Sequence, residues 1–407
     1  MSNIRNESNG PIRLEMFKTP ESIREEMGNR DLYFWGVGEW FEKTIRRCGL
    51  RPKYVVDSNP ALTGGTTMGV PIVSPETFFR DKQPKYLVIT TGSYESVVEA
   101  LIRKGVSESC YCCTPLLKNM YLGRRLKCVD QTLVFSVADQ ETGGIFRYRI
   151  RDKTLTRWYQ GKCRGLIRYP GGYAFVDELH GMRLMDKKGN IFQSFDFPEV
   201  NSLVGLTYDE DHRRFYIVDS GRDKILVVSE EGELEKMLSF SEKYEEDGIE
   251  HHHLNDICYY EGRLYLSLFS LSGTWQIGGY DGCIVETDLS LQRISSPLVS
   301  NLWMPHTITY INNELFYVES MRGRIVRNTW MEVVRYPAFI RGFAWDGQFY
   351  YVGQSENRYY DRLAREASVI PVTCCIHVFD PESRASREHV FDQFENIHDI
   401  VIAHSSV

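Results

Sequence analysis

From residue 164 onward one pattern of apolar and polar positions returns six times. A short apolar strand opens on a polar residue, a turn follows, and a second apolar strand ends on an acidic or hydroxyl residue. The clearest copies are Gly165-Leu-Ile-Arg-Tyr169 with Tyr173-Ala-Phe-Val-Asp-Glu178, and Gly205-Leu-Thr-Tyr208 with Phe215-Tyr-Ile-Val-Asp-Ser220. Asn255-Asp-Ile-Cys-Tyr259 with Leu264 to Phe269, His306-Thr-Ile-Thr-Tyr310 with Leu315 to Ser320, and Arg341-Gly-Phe-Ala-Trp345 with Phe349 to Ser355 continue the series. His398-Asp-Ile-Val-Ile402 opens a sixth copy that has no second strand. Strand pairs returning every roughly 40 to 50 residues are the signature of a β-propeller. The strands absent from the last copy stand near the other end of this region, at Thr132-Leu-Val-Phe-Ser-Val-Ala138 and Gly144-Ile-Phe-Arg-Tyr-Arg-Ile150. The pattern therefore predicts an all-β, six-bladed propeller over 132–407, closed by the C-terminal strand so that no sheet edge is left open.

Residues 31–118 are patterned differently. Asp31 to Trp35, Lys53 to Asp57, Val70 to Val73 and Tyr86 to Thr90 read as short strands, and Glu39 to Gly49 and Glu95 to Gly105 as helices. Strands alternating with helices predict a parallel sheet covered on its faces, an α/β Rossmann-like domain. Residues 1–30 read as a polar N-terminal segment, and 119–131, rich in Lys and Arg, as a connector.

Gly36-Val-Gly38 follows a strand and opens a helix, which places backbone N–H groups where a phosphate could sit. Asp57 ends the next strand, where a ribose hydroxyl is held in dinucleotide-binding modules. Phe41 occupies the position of the third glycine. The alternatives are a ligand site at Gly36, Gly38 and Asp57, or a glycine turn kept for geometry alone.

Composition narrows the functional classes. A net charge of −7 excludes a general nucleic-acid or anionic-membrane binder. No apolar run reaches the ~18 residues that span a membrane. The polar stretch Met1 to Pro11 lacks the apolar core of a secretory signal, and the ten cysteines then read as reduced thiols in a cytoplasmic protein. Cys110-Tyr-Cys112-Cys113 and Cys374-Cys375 read as small apolar residues within strands.

In an antiparallel blade the start of the inner strand and the end of the second strand share one face. Convergence on a ring axis would gather Arg164, Asn255, Asp256, His306, Arg341, His398 and Asp399 from the inner strands. The second strands would add Glu178, Asp219, Glu319 and Ser355. So many polar groups must pair, meet water or bind something. His253, His306 and His398, on separate blades, are candidate ligands for a divalent metal such as Zn²⁺, whereas carboxylates with Asn255 would suit Ca²⁺ or Mg²⁺. The same imidazoles are candidate acids or bases, oriented by Asp256 and Asp399. The other reading is that each histidine caps a strand. Arg164 and Arg341 offer bidentate sites for a carboxylate or phosphate, or pair with neighbouring acids. The loops carrying Trp275 and Tyr280, and Arg358 with Tyr359, read as a lid or sugar-stacking wall. His251, His252 and His389 read as solvent-facing.

Trp35-Gly-Val-Gly38, Val55-Val-Asp57-Ser-Asn59 and Gly69-Val-Pro-Ile-Val-Ser-Pro-Glu76 resemble the small N-terminal domain of bacterial sugar O-acyltransferases and related polysaccharide-biosynthesis proteins. That resemblance implies a nucleotide or nucleotide-sugar held at Gly36, Gly38 and Asp57. The acyltransferase half has no counterpart here. Trp303-Met-Pro-His306, Phe339-Ile-Arg-Gly-Phe343 and Val352-Gly-Gln-Ser-Glu-Asn-Arg358 resemble a family of bacterial propeller proteins of unassigned activity. More distantly, the arrangement is similar to six-bladed propeller lactonases and lyases, which carry a metal on the ring axis. The expectation is a protein of bacterial glycan or nucleotide-sugar metabolism whose funnel performs metal- or histidine-assisted acid/base chemistry on an anionic or sugar substrate. Its alternative is a scaffold that binds a glycan or a partner enzyme without turnover. A homo-oligomer, or contact with other pathway enzymes, is compatible with either.

Overall fold

Short apolar strands in the C-terminal two thirds of the chain form six four-stranded antiparallel sheets, with many strands buried on both faces between blades. The computed structural model describes residues 11–178, 180–197, 200, 202–275, 281–294, 296–356, 359–363 and 369–404. The chain divides into two compact units, Met1–Lys127 and Cys128–Val407.

In the second unit the inner strands are Cys163–Tyr169 (blade 1), Leu203–Asp209 (blade 2), Leu254–Tyr260 (blade 3), Pro305–Ile311 (blade 4), Phe339–Trp345 (blade 5) and Ile397–Ile402 (blade 6). They touch one another in ring order, and the last also meets the first. Blade 6 is completed by Thr132–Val137, which pairs with Ile397–Ile402, so the ring is a six-bladed propeller latched by its C-terminal strand. Apolar side chains between blades form the core, with Tyr173, Tyr216, Tyr317 and Tyr351 among the largest fully buried groups.

Every inner strand breaks register at one place: between Cys163 and Leu166, Leu203 and Leu206, Leu254 and Asp256, His306 and Thr309, Arg341 and Phe343, and Ile397 and Ile400. A bulge bends the strand and re-aims a side chain. Here it presents one residue per blade to the axis: Gly165, Gly205, Asp256, Thr307, Gly342 and Asp399. Three of these residues stitch their blade to the next. Asp256 Oδ2 accepts from Ile308 N–H at 3.0 Å, Thr307 Oγ1 from Gly342 N–H at 3.1 Å, and Asp399 Oδ2 from Leu166 N–H at 3.1 Å. Thr307 holds φ at 42°, a backbone region that β-branched residues avoid, so this position carries strain.

Acids at the ends of second strands have a different job. Asp219 Oδ1 accepts from Ser202 N–H at 3.0 Å, Glu319 Oε1 from Trp303 N–H at 2.9 Å, and Asp139 Oδ2 from Glu395 N–H at 2.9 Å. Each pins the chain as it enters an inner strand. Glu319 is fully buried and also takes Arg322 and Arg324, each at 2.6 Å. Glu319→Ala strips a buried carboxylate from two guanidiniums and a backbone donor. Urea unfolding should show a loss of about 3 kcal/mol. Glu319→Gln keeps the Trp303 bond and should lose clearly less.

The first unit corrects the expected fold class. A distinct Rossmann-like α/β domain does not form. The unit holds a six-stranded mixed sheet built from β1 (Asp31–Trp35), β2 (Tyr54–Val56), β3 (Thr66–Thr67), β4 (Val70–Val73), β5 (Lys85–Ile89) and β6 (Tyr111–Cys113), in the order β3-β4-β2-β1-β5-β6. β3 runs antiparallel to β4. The glycine turn closes on itself. Asp57 accepts from Val37 N–H at 3.2 Å and Asn59 N–H at 2.9 Å, which occupies a backbone donor of that turn. Phe41, where a third glycine was wanted, is buried edge-on against Phe34 with ring centres 5.9 Å apart, so an aromatic ring separates the following helix, Glu39–Cys48, from the sheet. Residues 11–30 are more than a polar segment, because Ile12, Phe17 and Ile23 enter the core. The expected connector is instead helical over Lys118–Lys127, with Tyr121 and Leu126 buried. All ten cysteines are unpaired, and burial pushes the Cys112 thiol up to about 12.

Candidate functional site

The residue before each axial position forms a second ring at the propeller mouth: Arg164, Val204, Asn255, His306, Arg341 and His398. Of these, His306, His398 and Arg341 come together. His306 is 2% exposed. Its Nδ1 lies 2.9 Å from the Met304 carbonyl, which can only accept, so Nδ1 carries the proton. Ser320 Oγ stands 2.7 Å from the same nitrogen. Nε2 is then a lone pair, buried and without a hydrogen-bond partner. Burial, then the charge of Arg341 and the neighbouring His398, hold the ring well below its ordinary pKa, and it is neutral at pH 7.

Around this imidazole lie His398, with ring centres 6.1 Å apart, Phe269 at 5.2 Å and Phe339 at 5.9 Å. Arg341 is buried with its guanidinium 4.9 Å over the Phe339 ring, and it donates to Asn396 Oδ1 at 2.6 Å. That bond fixes the Asn396 amide. Its oxygen faces Arg341 and Ser355, and its Nδ2 is buried with no partner. His253 sits at φ 50° between Phe269 and Trp275, with ring centres 4.3 and 4.6 Å away, and its Nδ1 meets Glu250 and Ser220. Burial pushes the Glu250 carboxyl up, but its hydrogen bonds to His253 and Ser220 outweigh this and leave it below the usual range.

Directly behind the mouth stand Asp399 and Asp256, on blades three apart in the ring of six and so on opposite sides of the axis. His398 Nδ1 is 3.7 Å from Asp399 Oδ2. Desolvation raises both carboxyls, and the charge of Asp399 raises Asp256 further. Asp399 is pushed up to about 7. Both residues also line a cavity of about 270 Å³ together with Cys258, Thr307 and Thr309.

The structure thus brings together His253, His306, His398, Arg341, Asp256 and Asp399, with Trp275 in the aromatic wall. It sends the other expected residues elsewhere. Arg164 is taken by Glu178 at 2.6 Å, and Glu178 also holds Lys162 at 3.0 Å. Asp219 and Glu319 pin blade corners. Ser355 donates to the Ile397 carbonyl at 2.8 Å. Asn255 turns its amide to the Pro305 carbonyl of the next blade at 3.5 Å. Tyr280 and Arg358 lie outside the described residues. Gly36, Gly38 and Asp57 belong to the first unit, where Gly36 and Asp57 line a cavity of about 280 Å³. His252 and His389, expected in solvent, are buried, His252 on the Ser270 carbonyl and His389 on the Tyr148 hydroxyl. Asn396 escaped the sequence reading. The signal available was its place three residues before an axial residue, the same place that His253 holds in blade 3.

Among the described residues no three His, Cys, Asp or Glu side chains are grouped to hold a metal ion. No described helix is long and apolar enough to cross a membrane. No protein-family model matches the chain, and no curated protein does. Among solved structures it is similar to a nidogen/laminin complex (13% identity, TM-score 0.49, covering 69% of this chain and 100% of that one). It is also similar to virginiamycin B lyase from Staphylococcus aureus (13%, TM-score 0.39, 66% and 87%). A third is a luciferin-regenerating enzyme (11%, TM-score 0.39, 59% and 76%). Likenesses this remote carry no argument about activity.

Proposed function

We propose that the propeller mouth is an acid/base site for a small anionic substrate, with His306 Nε2 as the proton acceptor and Arg341 holding the anionic group. The observation that carries this reading is the buried, neutral imidazole whose Nδ1–H is committed to a carbonyl, leaving its other nitrogen unpartnered beside a buried guanidinium. A base needs a lone pair aimed at the substrate and a partner that fixes the tautomer, and Met304 supplies the second. The reactions open to such a site are elimination, epimerisation and hydrolysis. His398, beside Asp399, is placed to return the proton. Elimination and epimerisation need no group beyond these side chains, and hydrolysis needs a water as well.

Two measurements test the reading. Long-range ¹⁵N NMR of the histidines should show His306 as the Nδ1–H tautomer, with Nε2 unprotonated down to mildly acidic pH. Turnover should then be screened over hydroxy acids, uronates and esters. Any turnover found should fall by about 10² to 10⁴ in His306→Gln. A protonated Nε2 at neutral pH, or turnover indifferent to the substitution, rejects the base. Saturable binding with no turnover of any compound favours the scaffold instead.

A further inference from the structure

His253 stands just before the inner strand of blade 3, Leu254–Tyr260, with φ at 50°. That backbone region strains a non-glycine residue and persists only where the surroundings hold it. Here the ring is clasped between Phe269 and Trp275, tilted 36° and 34° to them, and the His253 carbonyl accepts from Phe269 N–H at 3.3 Å. Behind the ring stands Glu250. Its carboxylate accepts from Ser220 Oγ at 2.9 Å, from His253 Nδ1, and from Trp275, whose indole can only donate. Three donors on one carboxylate favour its ionised form, and an ionised carboxylate can only accept. The proton of a neutral His253 ring therefore sits on Nδ1. Ser220 Oγ, 3.2 Å from that nitrogen, gives its own hydrogen to Glu250.

Nε2 is then a lone pair. It has no hydrogen-bond partner among the described residues, and unlike His306 Nε2 it is not buried. The His253 side chain keeps 23% of its surface exposed. Phe269 borders both imidazoles, with ring centres 4.3 Å from His253 and 5.2 Å from His306.

We infer that Glu250 is a positioning residue that fixes His253 as a second proton acceptor of the mouth, with its Nε2 open to solvent where His306 Nε2 is closed to it. This rests on the acid/base reading of the mouth and adds to it an acceptor that water can reach. The carboxylate acts through the imidazole: it sets which nitrogen carries the proton and, with the two aromatic rings, where the other one points.

The test is long-range ¹⁵N NMR of the full chain at mildly alkaline pH, with the His253 signals assigned by their loss in His253→Gln. Wild-type His253 should be the Nδ1–H tautomer. In Glu250→Gln the amide can accept from Nδ1–H or donate to a bare Nδ1. The preference for that tautomer should therefore fall by at least about tenfold, the size of one hydrogen bond to a charged group. Ser220→Ala leaves the carboxylate in place and should leave the tautomer unchanged, which a general loosening of the mouth would not. Unfolding midpoints check that each variant is folded. Diethyl pyrocarbonate, which acylates reachable unprotonated imidazole nitrogens, gives a second readout. Peptide mass spectra should place the label on His253 and none on His306. The inference is overturned if wild-type His253 is Nε2–H, if its tautomer ignores Glu250→Gln, if Ser220→Ala shifts it as far, or if His253 resists the reagent as His306 does. Any of these with His306 still in the Nδ1–H form leaves the base intact. A protonated His306 Nε2 beside an Nδ1–H His253 removes that base and leaves Glu250 positioning His253.

Discussion

Gly342→Ala should destabilise the propeller by about 4 kcal/mol. Two costs coincide at this position. Gly342 has φ at 56°, and a Cβ built there stands 2.7 Å from the His398 carbonyl oxygen and 2.8 Å from the Asp399 Cα. Both obstacles are backbone, so no side chain can rotate aside. Left-handed φ alone costs an alanine about 1 kcal/mol. Gly347 isolates that part: its φ is 97°, but nothing lies within 4 Å of its Cβ. Gly347→Ala should therefore lose only about 1 kcal/mol in the same urea titration. Equal losses in the two variants would mean that the inner strands of blades 5 and 6 are not in the close contact described. Gly165 and Gly205 face the clash without the left-handed φ, with Cβ positions hard against the Val204 carbonyl and Asp256. Three glycines at the axis leave the room that Asp256, Thr307 and Asp399 fill.

Much of this ring was legible in the sequence, because six blades around one axis must each repeat the same apolar strand, turn and apolar strand. The six copies, the closing pair Ile397–Ile402 with Thr132–Val137, and the meeting of His306, His398 and Arg341 all follow from that constraint. What misled was the assumption that repeated acids at strand ends face the axis. Asp219 and Glu319 recur because each blade needs a carboxylate to hold the N–H entering its inner strand, a structural demand with the same periodicity as a site. The α/β expectation failed for a comparable reason. A Gly-x-Gly turn reports only that the backbone bends sharply. Asp57 folding back onto Val37 and the bulk of Phe41 shape this turn, and spacing reveals neither. Asn396 was missed because an amide before a strand looks like an ordinary cap. Only the Arg341 bond, which sets the direction of its NH₂ group, makes it a donor to the mouth.

Asp399→Asn should change how the stability of the propeller depends on pH. Asp399 titrates near 3.8 when exposed and is pushed up to about 7 in the fold, by burial first, against the opposing pull of the Leu166 N–H, Thr307 and Arg341. Below pH ~3.8 the carboxyl is protonated in both states, and it contributes no pH dependence. Between that value and about 7 the unfolded chain has released its proton while the folded protein retains it, so stability falls as pH rises. Above 7 the whole penalty, several kcal/mol, is present. An amide in place of this carboxyl would remain neutral throughout, and its oxygen would still accept from Leu166 N–H. The groups facing this carboxyl are Asp256 from blade 3, Thr307 from blade 4, Arg341 from blade 5 and His398 on its own strand. Asp256 is itself raised, and relieving it of its neighbour's charge adds to the gain at high pH. Buried neutral histidines work in the other direction. His377 and His389 are both held down to about 4 by desolvation, so they withdraw stability as pH falls from 6.5 toward 4. The wild-type profile therefore mixes two opposed slopes, and the difference between variant and wild type isolates Asp399. Unfolding free energies at pH 4.5, 6, 7.5 and 9 should show the variant no better than wild type at the acid end and increasingly more stable toward the alkaline end, as the titration predicts. A difference that stays flat across that range would mean that Asp399 is already ionised at pH 5 and that the axis behind His398 carries no retained proton.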